Sequence, residues 1–240
     1  MGNMDYNTLE RIVPDQLAPD EATGMETYRI HLERYEFAKN NVYGNILDAA
    51  CGVGYGTHLI AAHSRVNSVV GVDIDPSSIA YARERYHNEK INFFEADIYS
   101  FKGEQKFDCI VSLETIEHVP YPDKLLLHFH NLLQPKGLLI ASVPVTPSVD
   151  ANPHHLTDFT LGTFLKLLKD TGFEVEERFI QIQPFSLISI VTGREKRATS
   201  LRKNILWWYI KHPGSFIKRI WSTLLFGFSN RYATVKARRL

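Results

Sequence analysis

Two neighbouring stretches constrain the fold of this chain most: Asn45-Ile46-Leu47-Asp48-Ala49-Ala50-Cys51-Gly52-Val53-Gly54-Tyr55-Gly56, and then Val69-Val70-Gly71-Val72-Asp73. An apolar run ends in a glycine-rich turn, a helix-length segment follows, and a second apolar run ends in a carboxylate. That order predicts a βαβ unit whose crevice takes a nucleotide-type cofactor. Gly52, Gly54 and Gly56 let the backbone turn tightly and approach a ligand where a Cβ would intrude. Asp73, at the tip of the second strand, is placed to accept hydrogen bonds from ribose hydroxyls.

Charge then discriminates between ligands. Asp48 puts a carboxylate on the lip of the loop, where it would repel the pyrophosphate of a dinucleotide. A ligand with an adenosine end and a cationic amino-acid end reverses the sign, and S-adenosylmethionine carries both an ammonium and a sulfonium. The spacing G-x-G-x-G also departs from the G-x-G-x-x-G of dinucleotide sites.

The pattern repeats along the chain. Residues 21–42 read as a helix with Met25, Tyr28, Leu32, Tyr35 and Ala38 on one face, lying across the cofactor site, where Tyr28 and His31 either cover it or touch a ligand. Strands are expected at 46–50, 68–73, 91–94, 107–112 and 138–143. Helices are expected at 57–63, from Pro76 to about 87, at 125–133 and at 160–171, with Asp75 as N-cap and Gly172 as C-cap. Residues 173–182 and 186–193 read as a closing hairpin. The expected fold is therefore α/β: a Rossmann-like, seven-stranded, mostly parallel sheet with one antiparallel strand and helices on both faces. Asp48, Asp73, Asp97 and Glu114 all fall near the carboxyl ends of strands, where such sheets bind ligands. Asp97 is placed to receive an adenine amino group, with Ile74 and Ile98 on either side of the ring.

A chain of 240 residues can bury a substantial core. Cys51 and Cys109 do not suggest a disulfide framework, and residues 1–20 are polar and acidic, so a reducing, cytoplasmic setting without a secretory leader is expected. The net charge of zero conceals a division: residues 1–193 carry 15 Lys and Arg against 26 Asp and Glu, whereas residues 194–240 carry 12 against 1. The reading divides the chain into an N-terminal arm and cap helix (1–44), a catalytic domain (45–193) and a basic amphipathic extension (194–240).

Leu47 to Gly56, Gly71-Val72-Asp73-Ile74-Asp75, Ala96-Asp97-Ile98 and Leu132-Leu133-Gln134-Pro135-Lys136-Gly137 together resemble the class I S-adenosylmethionine-dependent methyltransferases. The likeness covers roughly residues 28–193. It implies that Asp48, Ala50, Gly52 and Gly54 hold the methionine end, Asp73 the ribose, and Asp97 with Ile98 the adenine, with Glu114 also at the cofactor site. More narrowly, Glu10-Arg11-Ile12-Val13-Pro14, Tyr35-Glu36-Phe37-Ala38 and residues 50–56 resemble methyltransferases associated with cell-surface polysaccharide synthesis, which implies a sugar or glycan-precursor hydroxyl as acceptor.

Transfer to a hydroxyl requires alignment of an oxygen and removal of its proton. Two clusters offer an imidazole with a carboxylate to orient it: Glu114, Glu117 and His118 after the fourth strand, and His154, His155 and Asp158 after the fifth. His118 and one of His154 or His155 are the expected bases, with Asp158 in support. Glu114, Glu117, His118 and His155 could instead hold a divalent metal. Glu-x-x-Glu-His resembles the ligand set of methyltransferases acting on small-RNA ribose or on catechol-like precursors.

The extension interleaves Trp207, Trp208, Phe216, Ile217, Ile220, Trp221 and Leu224 with basic residues, so 200–226 suits a membrane interface, the body itself, a second copy in a homo-oligomer, or an acidic polymer. Too short and too charged for a convincing span, it fits a lipid-linked glycan as well as a small-molecule acceptor. The acidic body argues against nucleic acid. Three other functions remain open at this stage: an N-methyltransferase on an amino sugar, a metal-assisted RNA or catechol methyltransferase, and a non-catalytic scaffold that retains the fold.

Overall fold

The structure is a computed structural model that describes residues 12–16, 22–184 and 204–240. Its helices are α1 (Ala22–Asn41), α2 (Tyr55–Ala61), α3 (Pro76–Arg85), α4 (Pro122–Leu132), α5 (Leu161–Asp170), α6 (Ile205–Lys211) and α7 (Pro213–Phe226). Its strands are β1 (Gly44–Ala49), β2 (Val66–Asp73), β3 (Ile91–Glu95), β4 (Phe107–Leu113), β5 (Leu133–Pro144), β6 (Phe173–Pro184) and β7 (Ser229–Arg239).

The strands form one seven-stranded sheet in the order β3-β2-β1-β4-β5-β7-β6. Pairing is parallel from β3 through β5, and β7 is antiparallel to both its neighbours. The expected architecture, with its one antiparallel strand, is therefore present. Runs of consecutive buried residues in β1, β4 and β5 mark strands covered on both faces. One face packs Leu47, Ile110, Leu139, Ala233, Val235 and Ala237 against Leu126 and Phe129 of α4 and Phe164 and Leu168 of α5. The other packs Ile46, Val69, Cys109, Val111 and Ile140 against Tyr35, Ala38 and Val42 at α1 and Ile60 of α2. Fully burying each large side chain of this kind contributes about 1.5–3 kcal/mol.

Local signals set several boundaries. The Asp75 side chain accepts the Ser78 N–H at 2.9 Å, with Pro76 in the first turn of α3. Gly172, at φ +86°, follows α5 and returns the chain into β6.

Two expectations need correction. β6 pairs with β7, at 229–239, a strand that the sequence reading did not expect, while the expected second arm of a hairpin at 186–193 lies outside the described residues. The sheet thus takes its seventh strand from the stretch set apart as an extension, and the expected boundary at 193 does not end it. Alternating Ala233, Val235 and Ala237 give β7 a buried face that its Lys and Arg content masks in the sequence. The buried face of α1 is also displaced from the expected stripe: Ile30, Arg34, Tyr35 and Ala38 are buried, while Met25 is exposed. Most of the expected arm lies outside the described residues, with Pro14–Gln16 forming a single 3-10 turn.

Candidate functional site

Because β1, β2, β3, β4 and β5 are parallel, the loops after them open along one edge of the sheet. The loop after β1 bends sharply, with Ala50 at φ +61° and Gly52 at φ +55°, and Gly54 at φ +85° opens α2. A Cβ on Gly52 would meet nothing within 4 Å, so this turn leaves open space for a ligand. Gly56 serves packing instead: a Cβ there would fall within the Tyr35 ring of α1. Gly56→Ala is expected to cost about 2 kcal/mol through overpacking, lowering the melting temperature by about 4–8 °C. In a thermal melt Gly56→Ala should cost less in a Tyr35→Ala background than in the unaltered chain.

Asp48, at the end of β1, is 1% exposed. Its Oδ2 accepts the Thr57 hydroxyl at 2.6 Å, while its Oδ1 has no hydrogen-bond partner among the described residues. Burial, only partly opposed by Thr57 and reinforced by the nearby negative Asp73, pushes its carboxyl up to about 7. An orphaned carboxylate oxygen beside open backbone suits a cationic group. Asp73 accepts the Gly52 N–H with Oδ2 and the Asp75 N–H with Oδ1, both at 2.9 Å, which fixes the carboxylate against the glycine turn. Ile74 projects at 65% exposure, and Asp97 is exposed after β3, its Oδ1 accepting the Tyr99 N–H, with Ile98 buried beside it. Asp48, Asp73 and Asp97 thus share one edge, as the sequence implies.

The loops after β4 and β5 adjoin this crevice, since β4 pairs with both β1 and β5. They are tied to each other: the Glu117 carbonyl accepts the Leu156 and Thr157 N–H groups, and His118 Nδ1 donates to the His154 carbonyl at 3.2 Å. The His118 and His155 rings meet edge to face at 4.5 Å. Glu117 is fully buried, and one ligand atom from each of Glu117, His118 and His155 lies within 4.8 Å of the others.

Three expected residues do not join this cluster. The exposed His154 ring stands apart, and only its backbone carbonyl meets His118. Asp158 staples its own loop, accepting the Ser148 and Val149 N–H groups at 2.8 and 3.0 Å, and faces Lys218 of α7 at 3.7 Å. Glu114, at φ +53°, accepts the Ser142 hydroxyl of β5 at 2.8 Å and pairs with Arg34 of α1 at 3.4 Å.

Residues of the cap helix complete the surroundings, and of these Arg34 lies outside the sequence reading. Arg34 is 1% exposed, donates to Gln181 at 2.8 Å and lies over the Tyr232 ring, so it pins the cap helix to β6 and β7. Its only sequence signal is its place one residue before Tyr35. His31 bonds to the Tyr55 hydroxyl at 3.1 Å, and Tyr28 packs edge-on against that ring. Desolvation, with Arg34 nearby, pushes His31 down to about 3, so it stays neutral and serves as cover.

Residues 47–141 match the family model for a methyltransferase domain. A Mycolicibacterium smegmatis protein named "Probable S-adenosylmethionine-dependent methyltransferase" is 30% identical over 190 residues, covering 74% of this chain and 71% of that one. The chain belongs to the S-adenosylmethionine-dependent methyltransferases. This methyltransferase is also 29% identical over 148 residues, 59% of its length, to a ubiquinone biosynthesis O-methyltransferase of Rickettsia conorii, of which it covers 48%. The fold matches the N-methyltransferase NodS of Bradyrhizobium japonicum, solved with S-adenosyl-L-homocysteine, at a TM-score of 0.60 and 16% identity, covering 92% of this chain and 89% of NodS.

Proposed function

We propose that this methyltransferase acts on a hydroxyl of a sugar, a glycan precursor or another small molecule. The observation that carries the reading is the Glu117, His118 and His155 cluster beside the Asp48 loop. S-adenosylmethionine supplies an electrophilic methyl group when bound. Asp48 would hold the ammonium through Oδ1, Asp73 the ribose hydroxyls, and Asp97, Ile98 and Ile74 the adenine. Glu114 supports this site at one remove, through Arg34 and Ser142.

With Nδ1–H engaged by the His154 carbonyl, His118 keeps its lone pair on Nε2, which would take the acceptor proton. Glu117 and His155 hold that ring and stabilise the imidazolium. The resemblance of residues 10–14, 35–38 and 50–56 to polysaccharide-associated enzymes favours a sugar, free or carried on a lipid. Two unpaired, buried cysteines suit a reducing, cytoplasmic setting.

The test supplies S-adenosylmethionine with nucleotide sugars, amino sugars and short glycans, and follows S-adenosylhomocysteine release and acceptor mass. Methylated hydroxyls support the reading. Transfer only to amines, with a rate that climbs through the amine's own titration, assigns an N-methyltransferase instead.

The same cluster supports one further reading. One carboxylate and two imidazoles suit a divalent cation, which would lower the pKa of an acceptor hydroxyl. Metal analysis and activity before and after dialysis against a chelator decide between them. The metal reading expects about one bound equivalent that the chelator removes together with activity and that Glu117→Ala fails to bind, and the base reading expects no bound metal and activity that survives the chelator.

A further inference from the structure

Between β6 and β7 the chain inserts the paired helices α6 and α7, neither of which buries a residue. Leu206, Trp207 and Ile210 of α6 and Ile217, Trp221 and Leu224 of α7 are each more than half exposed. An apolar surface of this size on a water-soluble face marks a contact site.

The polar residues of the pair point the other way. Arg219 donates to Asp150 through Nε at 2.8 Å and Nη2 at 2.5 Å, and through Nη2 to the Pro147 carbonyl at 2.7 Å. The Tyr209 hydroxyl donates to the same Asp150 at 2.6 Å, and Lys218 faces Asp158. Asp150 is 1% exposed; burial alone would raise its carboxyl, yet Arg219 and Tyr209 hold it below the usual range. The helices are thus clamped onto the loop that carries His155, with their apolar side chains turned outward.

We propose that α6 and α7 lie in the headgroup layer of an anionic phospholipid bilayer and seat the acceptor loop at its surface. Residues 204–226 carry Lys211, Lys218 and Arg219 and no Asp or Glu, and Lys211 and Lys218 are exposed, which matches a negative surface. The two exposed tryptophans suit headgroup depth. No helix among the described residues is long and apolar enough to cross a membrane, and fourteen residues of α7 reach only about 21 Å, so the pair lies in the plane. The proposal rests on the methyltransferase reading only in making the seated loop the acceptor site.

All three tryptophans of the chain, Trp207, Trp208 and Trp221, lie on this pair, so intrinsic indole fluorescence reports on it alone. The full chain is mixed with vesicles of phosphatidylglycerol and phosphatidylcholine in equal parts, or of phosphatidylcholine alone, and assayed by flotation and fluorescence. Partitioning at least tenfold stronger onto the anionic vesicles, with a blue shift, is expected. Trp221→Asp with Leu224→Asp should reduce it at least tenfold, leaving S-adenosylhomocysteine affinity by calorimetry unchanged. Equal partitioning onto both vesicles, no partitioning, or an indifferent double variant overturns the proposal. A dimer by sedimentation that the double variant dissociates, without vesicle binding, assigns the face to a second copy and also overturns it. Intact donor binding alongside such a failure leaves the methyltransferase reading standing, and its loss in the unaltered chain condemns that reading separately.

Discussion

Asp48→Asn should weaken S-adenosylmethionine binding about 100-fold, or about 3 kcal/mol, when titrated by calorimetry at pH 8. The substitution keeps an oxygen to accept the Thr57 hydroxyl and removes only the charge, so a loss of affinity without unfolding isolates the electrostatic contribution. The pH dependence follows from the same group. Without donor, the Asp48 carboxyl titrates near 7, far above an unfolded aspartate. Folding therefore favours its protonated form, and the associated stability, complete below the unfolded value, is lost as pH rises toward about 7 and then levels off. A bound ammonium favours the ionised form. Donor affinity should accordingly rise with pH up to about 7 and flatten beyond it, and Asp48→Asn should abolish the trend. An affinity that falls over this range, or a variant that binds as tightly as the parent chain, contradicts an Asp48 contact with the cationic end.

The second large effect concerns the acceptor side. His118→Ala should lower kcat by about 10²–10⁴, the usual contribution of a positioned general base, with donor affinity unchanged. His155→Ala should have a smaller effect in the same direction, since its ring holds that of His118 edge to face. His154→Ala should change kcat less than twofold, because the His118 contact is to its backbone carbonyl. Single-turnover measurements with saturating donor separate these outcomes, and an inactive His154→Ala beside an active His118→Ala would reverse the assignment of the base.

Much of the donor side is legible in the sequence because it depends on residues close along the chain. Asp48, Gly52 and Gly54 share one turn, and Asp73 ends the next strand, so parallel pairing brings them together almost regardless of the remainder. The acceptor side is legible only in part. Spacing places Glu114, Glu117 and His118 on one short segment, but the left-handed backbone at Glu114 turns its side chain away toward Arg34. Nothing local announces that turn, since only the partner arginine, eighty residues earlier, reveals its purpose. Asp158 misleads for a similar reason: two backbone N–H groups of its own loop claim it. The final strand escaped the reading because four Lys and Arg in 229–239 resemble a solvated tail. Its alternation of small apolar side chains carries the true signal.

The position of β7 also has a consequence for how the molecule is made. Among the seven described strands it comes last in chain order, yet it lies between β5 and β6, which have no pairing with each other in the sheet. A nascent chain still lacking residues 229–239 therefore presents two open edges at once, a hazard for sticking to other chains. Productive folding of this half of the sheet must wait until that segment has cleared the ribosome.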